Sequence, residues 1–322
     1  MTTSGTVAFA PTVTQIVHDA GVKVSAVARG ATMPSDVYDT FVFALNGMLK
    51  RWVAKGIKVW TVRTATLFPV PGQARYTIGH ATAAENDHVT ETYVETELAA
   101  AASSGATSIT VDDDDGISDN DFIGIMLEDG TLHWTTVNGA PAANVIQIDD
   151  ALTDDAADEA VVYAYTTKIT MPVKIVGVRR KLIDGGVITP MDRMYARQEF
   201  EDMPDHAASG ALSMPWYDRQ IEAGYLNGWP TPSSPLQELW EFTWHRPIED
   251  AGAAGLNVAI PQEWSDTLIW NLAKMMLGDY PVSASRKATI EDRSQELLDD
   301  MADMDREPEA VFFQPDMRAY RR

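Results

Sequence analysis

Apolar and polar positions along the chain change period several times, and each change marks an element. Phe41, Ala44, Leu45, Met48, Leu49 and Trp52 recur at helical spacing, with Lys50, Arg51 and Lys55 off that stripe, so an amphipathic helix is expected from Pro34 and Ser35 onward. Gly56 is placed to end it in a left-handed conformation. The period then shortens: Ile57, Val59 and Thr61 alternate with Lys58, Trp60 and Val62, as in a strand, and the turn residues Val70, Pro71 and Gly72 lead to a second strand, Arg75 to Ile78. Upstream, Gln15 to Ala20 reads as a short helix capped by Thr12 or Thr14 and ended by Gly21. Further on, strands are expected near Val173 to Arg180 and Glu238 to His245, with a long loop from Met203 to Trp216 between them. Pro261 and Glu263 begin a helix whose Trp264, Leu268, Leu272, Met275 and Met276 share a face, ended by Gly278 and Pro281. Ser285 to Asp303 reads as the last helix, with Ile290, Leu297, Leu298 and Met301 inward.

Between the early and late strands the pattern is different again. SITV, DFIGIML, TLHWTTV, NVIQID and AVVYAY are short β-branched or aromatic runs, and Asp129-Gly130 between two of them is a hairpin signal. Five such runs close together predict a small all-β barrel or sandwich, with the Ala-Ser stretch Ala99 to Ser104 as the linker leading into it. The class is therefore α+β. Three parts are expected: a main body made of 1–84 and 171–308, an inserted β-module at 85–170, and a C-terminal tail at 309–322.

Charge sharpens this division. The formal net charge of −22 is local: 85–170 holds nineteen acidic residues against the single base Lys168, whereas the rest holds twenty-eight acids and twenty-four bases. A module of that sign repels nucleic-acid phosphates and argues against a large nucleic-acid-binding face near it. The length of 322 residues with 45% apolar composition suffices for about two domains. No apolar run is long enough to span a bilayer, and MTTSGTVAFAPTVTQ has neither a basic start nor a sustained apolar stretch, so a soluble chain not secreted by the general route is expected. The absence of cysteine removes disulfides, thiolate metal sites and a cysteine nucleophile.

Candidate chemistry is sparse. The sequence contains no G-x-S-x-G, no Walker A loop, no H-E-x-x-H and no glycine-rich dinucleotide fingerprint. His18, His80, His88, His133, His206 and His245 are scattered singly, and each reads as a surface or packed histidine. Asp112 to Asp115 before Gly116 resembles part of a calcium loop, but with Gly116 at the sixth loop position the first and twelfth would be Val111 and Phe122, neither a ligand. A solvated turn is the simpler expectation. No catalytic residue, cofactor or metal is therefore expected.

Several short stretches, in order along the chain, carry a resemblance. LNGMLKRW followed by GIKVW, then LFPVPGQARYTIG, GWPTP (Gly228 to Pro232), HRPIED (His245 to Asp250), PQEW (Pro261 to Trp264), NLA (Asn271 to Ala273) and FFQPD (Phe312 to Asp316) resemble the head-to-tail adaptor proteins of tailed bacteriophages, the family that includes tail accessory factors and packaged-DNA stabilisation proteins. The resemblance covers most of the chain outside 85–170, where many members have a shorter connection. It implies a non-enzymatic virion protein: a ring, commonly of about twelve copies, docked beneath the portal. Such a ring helps retain packaged DNA, which passes through its channel without sequence-specific binding, and gives downstream tail or nozzle proteins a platform. It implies assembly in the host cytoplasm, a final place at the head–tail junction, no membrane partner, and a bundle of N- and C-terminal helices packed on a β-rich part.

Two sets of residues follow as candidate contacts. Trp60, Trp216, Trp229 and Trp240 are candidate anchors between ring neighbours or toward tail proteins, with core burial as the alternative for each. In the tail, Phe312, Phe313, Gln314, Pro315, Arg318, Tyr320, Arg321 and Arg322 are candidate portal contacts, apolar anchors and cations on a segment that Pro315 keeps from helix. The acidic module is expected on the outside of the ring rather than in the channel. Two alternatives remain: another tail component such as a nozzle or tail-completion protein, and a carbohydrate-binding or carbohydrate-degrading tail protein suggested by the β content, tryptophans and acids.

Overall fold

Thr12 starts the first helix through a reciprocal cap: its hydroxyl accepts from the Gln15 N–H, and the Gln15 side chain accepts from the Thr12 N–H. The resulting helix, α1 (Val13–Lys23), passes through Gly21 instead of stopping there. Gly21 is buried in the last turn of the helix, where the missing side chain leaves room for Met33 and Val27. The computed structural model describes residues 11–55, 61–191, 193–203, 205–252, 258 and 260–304. The chain divides into two compact units, Met1–Trp60 with Ile248–Arg322, and Thr61–Pro247. Helix and antiparallel strand are both abundant, and the fold class is α+β.

The first unit is helical. Besides α1 it contains α2 (Ser35–Lys55) and, after the 3-10 turn Gln262–Trp264, the helices α4 (Ser265–Met275) and α5 (Ala284–Met304). The expected stripe of α2 is its buried face: Phe41, Leu45, Met48, Leu49 and Trp52 lie inside, and the Trp52 and Trp264 rings meet at 5.6 Å. Gly56 to Trp60, where the helix stop and the start of the following strand are expected, lie outside the described residues. Helix α4 packs against α1, α2 and α5. Polar groups pin these contacts: Asn271 Nδ2 donates to the carbonyls of Thr267 (3.0 Å) and Ser294 (3.1 Å), which joins α4 to α5. On α5, Ile290 and Ser294 are fully buried, while Leu297, Leu298 and Met301 are only half-buried.

The second unit holds fourteen described strands: β1 (Val62–Leu67), β2 (Arg75–Ile78), β3 (Val89–Thr90), β4 (Val94–Glu97), β5 (Ser108–Thr110), β6 (Phe122–Met126), β7 (Leu132–Thr136), β8 (Val145–Gln147), β9 (Val161–Tyr165), β10 (Lys174–Leu182), β11 (Ile188–Pro190), β12 (Met214–Arg219), β13 (Gly224–Trp229) and β14 (Glu238–His245). A five-stranded sheet runs β11-β10-β14-β1-β3, and a three-stranded one β12-β13-β2. They share one core, in which Trp240, Phe242 and Trp244 alternate along β14 and meet Tyr76, Ile78 and Leu226 of the smaller sheet. The expected loop from Met203 is shorter than its composition suggests, because β12 begins at Met214 and a five-residue helix, α3 (Arg197–Glu201), precedes it.

The acidic segment forms two more sheets, β4-β9-β6-β7 and β5-β8, around an aliphatic core that includes Ile109, Val111, Ile123, Ile125, Ile146, Ile148 and Val162. All five expected runs are strands, and Asp129-Gly130 lies in the β6–β7 turn with Gly130 at φ +80°. The small sheet touches both edges of the larger one through single bridges, Leu98 to Val111 and Val137 to Ile148, so the described strands form no closed barrel ladder. The Ala-Ser stretch is not a free linker: Ala99 N–H donates to Thr110 O (2.9 Å), Ala102 pairs with Ala156, and Ala102 packs on the core. No helix among the described residues is long and apolar enough to cross a membrane.

Candidate functional site

Alternation along the three-stranded sheet sorts the candidate tryptophans. On β12 and β13, Met214 lies opposite Trp229, Trp216 opposite Asn227, and Asp218 opposite Tyr225, so these six side chains share one face. Residues on the other face, Tyr217 and Leu226 among them, turn to the core. Trp240 approaches from that core side, and a Cβ on Gly228 would lie 2.2 Å from the Trp240 ring, so only glycine lets the indole lie so close to the strand. Trp240 is completely buried and its Nε1–H donates to Glu238 Oε1 at 3.1 Å, which leaves it no surface for a neighbouring molecule. It is therefore a core residue and not an interface anchor.

Trp216 and Trp229, by contrast, stand on the outer face and are half-buried. Phe200 of α3 packs on Trp216 with ring centroids 5.5 Å apart, and the Arg197 guanidinium lies 5.8 Å from the Trp216 ring. The Trp229 indole donates to Asp205 O at 2.6 Å, and Arg75 from β2 stacks over Tyr225 at 3.7 Å. The structure thus gathers two of the four tryptophans into one aromatic and cationic patch with Tyr225, Arg75 and Arg197. Tyr225, Arg75 and Arg197 carry no such signal in the sequence, since cross-strand registry places Arg75 and Tyr225 and the packing of α3 brings Arg197. Trp60 and the tail residues Phe312, Phe313, Gln314, Pro315, Arg318, Tyr320, Arg321 and Arg322 lie outside the described residues.

A second feature had no signal in the sequence at all. Phe68, one residue past β1, projects to the face opposite Leu67 and enters a ring cluster formed mostly by the acidic segment. Its centroid lies 5.1 Å from Trp134, 5.1 Å from Tyr163, 5.4 Å from Tyr93 and 6.0 Å from Tyr165. Leu239, whose neighbours on β14 face the other core, completes the cluster from the body. His88 stacks on Trp134 at 3.9 Å and shares a 2.7 Å hydrogen bond between its Nδ1 and the Tyr165 hydroxyl. Burial, helped by nearby Lys168, holds His88 down to about 3, so it is neutral at physiological pH. Around the cluster, Lys181 Nζ donates to Tyr93 (2.8 Å) and Glu95 (3.0 Å), and Leu236 N–H donates to Gly130 O at 2.8 Å. The acidic segment is joined to the body by aromatic packing on one side and backbone hydrogen bonds on another.

The remaining candidate groups are locally engaged. Asp113, Asp114 and Asp115 place carboxylate oxygens within 4.8 Å of one another. Two of those side chains are held by backbone N–H groups: Asp113 accepts from Asp115 N–H of its own loop and Asp114 from Asn144 N–H in the β7–β8 turn, both at 3.0 Å. His18 contacts Ala31 O, His80 accepts from Thr82 N–H, His133 lies by Asp150 O, His206 packs on Phe200, and His245 meets the Thr61 hydroxyl. Compared with known protein families and with characterised proteins, the chain matches none.

Proposed function

We propose that this protein is a structural component of a tailed-phage virion, a ring-forming head-to-tail adaptor that docks beneath the portal, helps retain DNA and carries tail proteins. One observation supports the reading beyond the ordered short stretches that resemble that family. The two ends of the chain, Met1–Trp60 and Ile248–Arg322, contribute to one helical unit, and the strands form the intervening unit, Thr61–Pro247. That is the division the resemblance implies. The finer description comes with it: a bundle of terminal helices, a β part, and an inserted small β sandwich at 85–170 on the outside of the ring. In this reading the protein is not an enzyme and needs no cofactor.

A ring closes through heterologous contacts, so each copy brings two different surfaces to its neighbours. The Trp216–Trp229 face fits one of them, since half-buried aromatics beside an arginine are the residues that dominate such interfaces. The tail from Phe312 to Arg322 is assigned to the portal, where repetition around the ring raises the effective concentration of a weak peptide. The decisive experiment mixes the purified chain with its portal ring and images the product by electron microscopy. A closed ring of about twelve copies seated on the portal supports the reading. A chain that neither binds portal nor closes a ring overturns it. Deleting residues after Glu309 should leave a folded protein that no longer sediments with portal.

A further inference from the structure

We propose that the groove between the C-terminal end of α1, the loop at Arg29 and the first turns of α5 is a binding site for a phosphate group, held by Lys23, Arg29 and Arg286. The inference stands on the helical unit alone and does not depend on the adaptor reading. The groove encloses about 530 Å³, and Asp19, Trp270, Ser285 and Thr289 line it beside the three cations.

What sets this groove apart is that three cations line it together in an acidic chain, forty-seven acids against twenty-five bases. Several cations elsewhere are neutralised by carboxylates: Lys50 with Asp250 and Arg197 with Glu201, both at 2.7 Å, Lys181 with Glu95 at 3.0 Å, Arg179 with Glu241 at 3.2 Å. Lys287, next to Arg286 on α5, is itself 3.9 Å from Glu291. Among the described residues Lys23, Arg29 and Arg286 make no such pair, although they share one groove.

Each is presented for a ligand. The Arg286 guanidinium is fixed by Ser25 Oγ (3.0 Å) and Val22 O (2.9 Å), which orients its remaining N–H groups. Lys23 Nζ sits 3.7 Å from the Trp270 ring centroid, and burial lowers its pKa even though Asp19 and Asp266 act on it in the opposite sense. Arg29 is exposed and makes no hydrogen bond or ion pair among the described residues. Three cations against the one lining carboxylate leave an excess of positive charge that a phosphate dianion balances. A phosphate offers several oxygens and two charges to guanidinium and ammonium donors, where a carboxylate offers two oxygens and one charge. The hydroxyls of Ser285 and Thr289 stand at the same wall as further donors. The groove is larger than a phosphate, so the group it takes is a phosphate ester or free phosphate: a small molecule, or the backbone of a nucleic acid.

Calorimetric titration of the full chain with inorganic phosphate, and separately with a short DNA duplex at several salt concentrations, tests this. Saturable phosphate binding is expected, weakened at least about tenfold by Arg29→Glu and largely kept by Arg29→Lys. Arg29 serves because the fold does not use its side chain, and thermal melts of both variants should match the parent. Binding of both ligands, with a duplex affinity that falls steeply with salt, identifies a nucleic-acid backbone as the source. Binding of phosphate alone identifies a small ester or the free ion. No saturable binding of either ligand, or equal affinity in the parent and Arg29→Glu, overturns the proposal.

Discussion

The acidic segment and the β body around it are both antiparallel β structure, yet their interiors are made of different residues. The segment is filled with Ile, Val, Leu and Ala, a complete aliphatic core wrapped in charge. The body is filled with Trp240, Phe242, Trp244 and Tyr76 between its two sheets. Where the two regions meet, neither pattern holds: the segment turns Tyr93, Trp134, Tyr163 and Tyr165 outward onto Phe68 and Leu239 of the body. Aliphatic side chains can close a small core by themselves, whereas large rings with fixed edge and face geometry make a specific joint. A segment with its own core, but with its aromatics turned outward to a partner face, is fixed in orientation and does not hang from a tether.

The difference can be tested by attacking the joint and leaving the segment's core alone. Phe68→Ala should have the largest effect, about 3–5 kcal/mol of lost stability, because it opens a cavity at the centre of four ring contacts. Chemical denaturation with separate probes should then show the acidic segment unfolding apart from the body, and a single coincident transition would mean that Phe68 does not couple them.

His88 makes the same joint sensitive to acid. Its folded value of about 3 lies below the ordinary 6.5, so below pH 6.5 the unfolded chain takes up a proton that the folded chain refuses. The stability that His88 contributes is complete above about 6.5, declines as pH falls, and is gone below about 3. On the order of 3 kcal/mol of it is lost between pH 7 and pH 4. His88→Gln should flatten the acid limb, measured as the difference from the parent in denaturation midpoints between pH 7 and pH 4.

Gly130→Ala should cost about 1–3 kcal/mol, since φ is +80° and a Cβ would lie 2.4 Å from Pro235 Cα across the joint. Gly139→Ala has the same left-handed backbone, φ +83°, but nothing within 4 Å, and should cost less; equal losses would show that the joint does not press on Gly130. The smallest change is favourable. The Tyr163 hydroxyl is buried without a hydrogen-bond partner among the described residues, so Tyr163→Phe should raise stability by about 1 kcal/mol in thermal melts.

The chain's local patterns were enough for most elements. The stripe on α2, the Thr12 cap, the five strand runs and the Asp129-Gly130 turn are properties of neighbouring residues, and each is found where spacing placed it. Local reading failed where a residue's role depends on distant chain. Gly21 looked like a helix stop and is a packing glycine beneath Met33; Ala99 to Ser104 looked like a spacer and pairs with Thr110 and Ala156. β13, with the sequence GYLNGW, has two glycines that weaken a strand signal, and one of them, Gly228, is required by Trp240. The tryptophans show the limit most plainly. Composition marked Trp216, Trp229 and Trp240 as equals, and registry between strands sent Trp240 inward and the other two to the outer face. Phe68 and the cations at Lys23, Arg29 and Arg286 carried no pattern, because their meaning lies in partners up to hundreds of residues away, which folding alone brings within reach of a ring contact or a shared charge.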